Sequence, residues 1–117
     1  MQALVCIDMQ NDFCLPGATL CVQGALQCLP KVIEAVGAAR ERGVKVLWVI
    51  REHDRHGTDV EHTRAHLYHP HGEGSTVEGT HGARLVDGLV PLESERVIVK
   101  KRFSPFFQTP LDMVLRR

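Results

Sequence analysis

The chain predicts an α/β fold: a Rossmann-like parallel sheet with flanking helices, truncated after about three strands. Two stretches, "ALVCI" (residues 3–7) and "VKVLWVI" (residues 44–50), are apolar almost throughout, as strands covered on both faces must be. Between them lies a segment whose apolar residues recur at helical spacing. A third short run, "RVIVK" (residues 96–100), follows a long polar stretch, and strands separated by crossovers of this kind pair in parallel.

Taken in order, the first strand ends at Asp8, and residues 9–24 read as a loop because Asn11, Asp12, Pro16, Gly17 and Gly24 fall within them. From Ala25 the positions Leu29, Val32, Ile33 and Val36 make one apolar helix face, and Gly43 after Arg40-Glu41-Arg42 supplies a helix stop. The second strand follows directly. Residues 51–81 are polar and rich in histidine and glycine, with a short helix expected around residues 60–67. A loop of that length is more often functional than a mere connection. Residues 83–89 suggest another short helix before the third strand. Thr109 reads as an N-cap with Pro110 at the first helical position and Asp112 in the first turn.

At 117 residues the chain is one domain, with enough surface buried for a modest core. Lys and Arg together number 14, as do Asp and Glu, so the net charge is zero. That balance argues against nucleic acid or an anionic membrane as the main partner. "MQALVCIDMQ" has no basic leader and too short an apolar run for a secretory signal. A cytoplasmic location is expected. Cys6, Cys14, Cys21 and Cys28 contain no CxxC pair and are expected to be free thiols.

In open parallel sheets, ligands bind outside the carboxyl ends of the strands. Asp8 and Lys100 stand at two such ends. Together they can neutralise each other across a crevice; separately, one caps a turn and the other is solvated. Glycine-rich phosphate loops and the GxSxG elbow are absent after the first strand. Phe13 and Phe106 are candidate pocket walls, with Trp48 as a third aromatic near a strand end. His53, His56, His62, His66, His69 and His71 form a set able to hold zinc or another divalent ion, or simply a solvated loop. No cofactor is otherwise expected.

"ALVCIDMQNDF" resembles the opening signature of the isochorismatase-like cysteine hydrolases, and "KKRFSPFFQTPLDMVLR" resembles the second motif of the same family. "EGTHGARLVDGL" matches the segment usually lying between them, and "VLWVIREHDRHGTDVE" is most similar to the nicotinamidase-like branch of plants and green algae. The resemblance runs the length of the chain. It implies an Asp-Lys-Cys triad acting on C–N bonds of small amides or ureides, with Asp8 and Lys100 as the first two members. Lys100 is preferred to Lys101 because it precedes x-Arg-aromatic-Ser, and strand alternation sends the two side chains to opposite faces.

The family's cysteine follows a fourth strand, in a Thr-x-x-Cys turn that starts a helix. The resemblance therefore implies that residues 1–117 are the N-terminal portion of the hydrolase domain, without the nucleophile and inactive alone. Relatives also often assemble, so the resemblance is compatible with a homo-oligomer and leaves the oligomeric state open. Two other functions compatible with these residues are a non-catalytic relative that binds a small molecule or a partner, and a histidine-based metal module. Nicotinamidases hold a metal through an Asp-x-His pair and a later His; here the stretch reads Arg51-Glu52-His53-Asp54, a departure from that pattern.

Overall fold

The computed structural model describes all 117 residues. Three parallel strands, β1 (Ala3–Ile7), β2 (Lys45–Arg51) and β3 (Arg96–Lys100), form one sheet in the order β1-β2-β3. The helices are α1 (Asn11–Cys14), α2 (Ala25–Glu41) and α3 (Leu111–Arg116), with a 3₁₀ segment over His62–Leu67.

The central strand explains why its sequence is apolar throughout. Val46 and Trp48 of β2 join Cys6, Val36, Ala39, Val86 and Leu89 in the core under α2. Leu47 and Val49, the alternate residues, pack with Ile98, Leu111 and Val114 in a second core under α3. Each face of the strand thus has its own helix, and between Lys45 and Arg51 no position on it is left for a polar side chain. Fully burying each Val or Leu here contributes about 1.5–3 kcal/mol. β1 is paired on one side only; Leu4, Val5 and Ile7 border an apolar groove shared with Val32 and Ala35 of α2.

Helix α2 stops as its sequence requires. Gly43 adopts φ 69°, and the Val44 N–H reaches back to the Ala39 carbonyl at 2.9 Å, satisfying a helix end that would otherwise be bare. Helix α3 begins at Leu111, one residue later than expected, with Pro110 rather than Thr109 in the N-cap place; the Thr109 hydroxyl still accepts a hydrogen bond from the Leu111 N–H at 3.2 Å. No helix is long and apolar enough to cross a membrane.

Two expectations are corrected. Residues 83–89 form no helix. The Asn11 N–H donates to the Arg84 carbonyl and the Val86 N–H to the Met9 carbonyl, with Gln10 and Leu85 bridged antiparallel, so the backbone groups a helix would need are spent on the segment after β1. Within the loop expected at residues 9–24, Asn11–Cys14 makes one helical turn, stabilised by those same long-range bonds. Gly82 allows this approach: a Cβ there would lie 2.3 Å from Asp12 Oδ1.

Glu95 ties the α2 layer to the sheet. It accepts from Arg40 Nε and Nη2, both at 2.8 Å, from the Trp48 indole at 3.0 Å and from the Leu92 N–H at 2.9 Å. The Arg40 hydrogen bonds chiefly hold its carboxyl at about 2, below the ordinary 4.5, against the opposing effect of burial. A depressed carboxyl stabilises the fold fully above its unfolded value and loses that contribution as pH falls toward its folded value. Glu95→Gln should therefore lower the unfolding free energy by about 2–3 kcal/mol at neutral pH. Urea unfolding at a series of pH values should show the difference shrinking between 4.5 and about 2; a pH-independent difference would contradict the assignment.

Candidate active site

The three strands end together, and what stands at each tip defines the site. The Cα register pairs Arg51 with Lys100 and Ile7 with Val49, so Asp8, Arg51 and Lys100 lie along one carboxyl edge of the sheet. Asp8 leaves β1 with φ 61°, a left-handed conformation uncommon outside glycine although Asp adopts it more readily than most residues, while its N–H still bonds the Val49 carbonyl at 2.9 Å. Strain of about 1–3 kcal/mol at such a residue persists only where the surroundings over-determine it.

The surroundings here are an ion pair. Lys100 Nζ lies 2.9 Å from Asp8 Oδ2, with 5% of the lysine side chain and 30% of the aspartate side chain exposed. The ammonium also donates to the Phe103 carbonyl at 2.8 Å. Asp8 Oδ1 is buried and has no hydrogen-bond partner in the protein. One carboxylate oxygen is thus fixed by the cation, and the other retains its full acceptor capacity.

Lys101 turns to the opposite side. It pairs with Asp59 Oδ2 at 2.8 Å and donates to the Glu52 carbonyl at 2.7 Å, and Arg102 donates to the Asp59 carbonyl at 2.8 Å. Asp59 also meets His53 Nδ1 at 3.2 Å. Burial first, and then the charge of Arg51, push the His53 imidazole below its ordinary value, although Asp59 opposes them.

Arg51 was not singled out from the sequence. It ends the second buried strand, and the rule that picked Asp8 and Lys100 from the other two would have found it. Its main chain is clamped by the buried Gln10 amide: Arg51 N–H to Gln10 Oε1 at 2.8 Å, and Gln10 Nε2 to the Arg51 carbonyl at 2.7 Å. Its guanidinium carbon sits 5.1 Å from the Phe13 ring centroid. Both residues line a cleft of about 520 Å³ together with Leu20, Arg64, Ser75 and Phe103. Of the two candidate pocket phenylalanines, Phe13 lines this cleft; Phe106, whose N–H bonds Ser104 Oγ, does not, and Phe103 does.

None of the four cysteines suits the role of nucleophile. Cys6 and Cys14 are buried, and burial pushes both thiols up, away from thiolate. Cys21 and Cys28 are exposed, and the Cys28 thiol bonds the Ala25 carbonyl within its own helix.

Of the histidines, His56 and His69 approach at 3.4 Å between Nδ1 atoms, and no three His, Cys, Asp or Glu side chains converge into a metal-holding group. Arg51-Glu52-His53 makes no Asp-x-His metal pair, and His53 is sealed with Asp59 on its Nδ1. Asp54-Arg55-His56 has that spacing, but Asp54 Oδ2 accepts from the His56 and Thr58 N–H groups and the Thr58 hydroxyl, and the pair joins no group of three ligands.

With this geometry in place, comparison with known proteins decides the family. The isochorismatase domain pattern matches residues 2–117. The chain belongs to the isochorismatase family. It is 50% identical over 115 residues to an Arabidopsis thaliana protein described as a probable inactive nicotinamidase, covering 97% of this chain and 59% of that one. Among solved structures, an isochorismatase family protein from Desulfovibrio vulgaris is 50% identical with TM-score 0.93, over 98% of this chain and 60% of the other. A nicotinamidase from Bacillus subtilis is 29% identical with TM-score 0.79, over 99% of this chain and 65% of the other. The chain therefore spans about 60% of the length of these first relatives.

The ion pair gives a direct test. Removing one partner of a buried pair costs more than removing both, because the survivor is left charged and desolvated. Asp8→Asn and Lys100→Met should each destabilise the chain by about 2–4 kcal/mol, and the double variant by less than their sum, with a coupling energy of about 1–3 kcal/mol from denaturant unfolding. Additive losses would mean that the two groups do not interact.

Proposed function

We propose that residues 1–117 contribute two-thirds of an Asp-Lys-Cys centre in a cytoplasmic hydrolase of C–N bonds in small amides or ureides. The cysteine comes from a segment following Arg117. The observation carrying this is the asymmetry of Asp8: Oδ2 is held by Lys100 at 2.9 Å and Oδ1 is buried with no partner. An acceptor oriented in this way, yet unspent, is what a general base needs. Membership of the isochorismatase family supports the same chemistry.

The steps follow from the roles of these two side chains. Asp8 Oδ1 takes the proton of the cysteine thiol, and the thiolate sulfur attacks the amide carbonyl carbon, placing the electron pair on oxygen. The Lys100 ammonium at the same edge favours both the thiolate and the developing oxyanion, with backbone N–H groups of the cysteine's own turn completing the oxyanion site. As the C–N bond breaks, Asp8 returns its proton to the departing nitrogen. Water then gives a proton to Asp8 and adds to the thioester, and release of the acid restores the thiol. Lys100 Nζ is held in place by the Asp8 carboxyl group and by the Phe103 carbonyl, to which it donates.

A second reading is favoured by one observation: the Arabidopsis relative is described as probably inactive. On that reading the cleft binds a small molecule that is not cleaved. Ammonia release from a panel of primary amides and N-carbamoyl amines separates the two, using the gene product with whatever follows Arg117. Hydrolysis that iodoacetamide abolishes, and that Asp8→Asn lowers by about 10²- to 10⁴-fold, is the expected result. Binding without turnover of any member would favour the second reading, and activity undiminished in Asp8→Asn would rule out the proposed base.

A further inference from the structure

Arg51 carries a charge that the fold does not neutralise. It is 6% exposed, and its side-chain hydrogen bonds go to neutral hydroxyls, from Nε to Thr76 Oγ1 at 3.2 Å and from Nη2 to Ser75 Oγ at 3.1 Å. It forms no ion pair with a carboxylate, unlike Arg40, Arg64 and Arg116. A guanidinium has five N–H donors, and those on Nη1 have no acceptor in the protein. Buried cations without an anion are costly, and burial already pushes this one below its ordinary value.

The structure spends strain to hold this arginine in position. Thr76, whose hydroxyl receives Nε, is buried with φ 52°, a conformation costly for a β-branched residue. It is pinned there by Asp12 Oδ2, which accepts its N–H at 2.6 Å, and by the His53 N–H, which bonds its carbonyl at 2.9 Å. On the other side, the Phe13 ring faces the guanidinium and the Gln10 amide grips the main chain. An arginine fixed from three directions, with part of its donor fork unspent, is preorganised for a planar anion.

The place and size of the cleft say what kind of anion. At about 520 Å³ it is of the size that holds a small molecule, and its walls are largely apolar, with Phe13, Leu20, Leu67 and Phe103 among them. Glu73 is the single acidic residue lining it, against Arg51 and Arg64. It also adjoins the reacting edge, because Arg51 is register partner to Lys100 and the Phe103 carbonyl accepts from Lys100 Nζ.

Resting on the hydrolase reading, we propose that Arg51 is the specificity residue of this site and that the substrate is a carboxylate-bearing amide or ureide with an apolar body. The carboxylate docks on the Arg51 fork, the apolar body lies along Phe13 and Phe103, and the scissile carbonyl is directed toward the edge where Asp8 and Lys100 meet.

The test reads binding and needs no turnover. Hippurate, an amide acid with an aromatic ring, and its uncharged counterpart hippuramide are titrated into the 117-residue chain by calorimetry. Hippurate should bind at least tenfold more tightly, and the preference should narrow with added salt. Arg51→Met should abolish the preference, and Arg51→Lys, which keeps the charge but not the fork, should retain only part of it; a ¹H–¹⁵N spectrum verifies the fold of each variant. Equal affinities for the two compounds in the parent chain, no binding of either, or a preference unchanged in Arg51→Met would overturn the proposal. Since no bond is broken in this experiment, such a result leaves the hydrolase reading standing. Conversely, a hydrolytic panel without turnover leaves a charge preference at Arg51 intact.

Discussion

A lysine ammonium with 5% of its side chain exposed is costly without an anion, and at the end of β3 the anion is Asp8. That requirement organises this edge of the molecule. Asp8 meets Lys100 as the chain leaves β1 in a left-handed turn, and Gln10 and Asn11, which follow, are both buried. Gln10 then clamps Arg51 and the Ala83 carbonyl, while Asn11 bonds the His81 carbonyl at 2.8 Å. The irregular stretch around residues 81–86, between β2 and β3, is thereby fastened to the strand tips.

The charges at the tips are sorted by face. Lys100 and Asp8 form one pair, while Lys101, one residue on, joins Asp59 on the other side with Glu52 and Arg102 near it. Keeping the pairs separate matters because each charge at a low-dielectric edge would otherwise compete for the nearest counter-ion. Arg51 stands between the two and is matched by neither. Its neighbours are hydroxyls, an aromatic face and the open cleft, so the one strand-tip charge without a protein partner faces the space where a ligand would sit.

Much of this was legible in the amino-acid order. Uninterrupted apolar runs mark strands buried on two faces, and the charged residue ending such a run is a strand tip; that logic located Asp8 and Lys100. Helix α2 and its stop at Gly43 follow from local spacing and one glycine. What stayed hidden depends on contacts distant in sequence. Residues 83–89 have a helical pattern, but their backbone bonds go to residues 9–12, more than seventy positions away. Arg51 is a strand tip by the same logic, but its burial comes from Thr76 and Ser75 returning over it. Phe103 rather than Phe106 lines the cleft because the turn at Ser104 decides the direction of each ring, which composition does not encode.

The central claim is that the Lys100 ammonium is held by the Asp8 carboxylate as a fixed, hydrogen-bonded pair. Side-chain ¹⁵N NMR of the lysine ammonium groups tests it most directly. The expected spectrum shows Lys100 Nζ with slowly exchanging protons and a scalar coupling across the hydrogen bond to the Asp8 carboxyl carbon, well separated from Lys31, whose side chain is 84% exposed. A Lys100 signal that exchanges as rapidly as that of Lys31, with no coupling to residue 8, would contradict it.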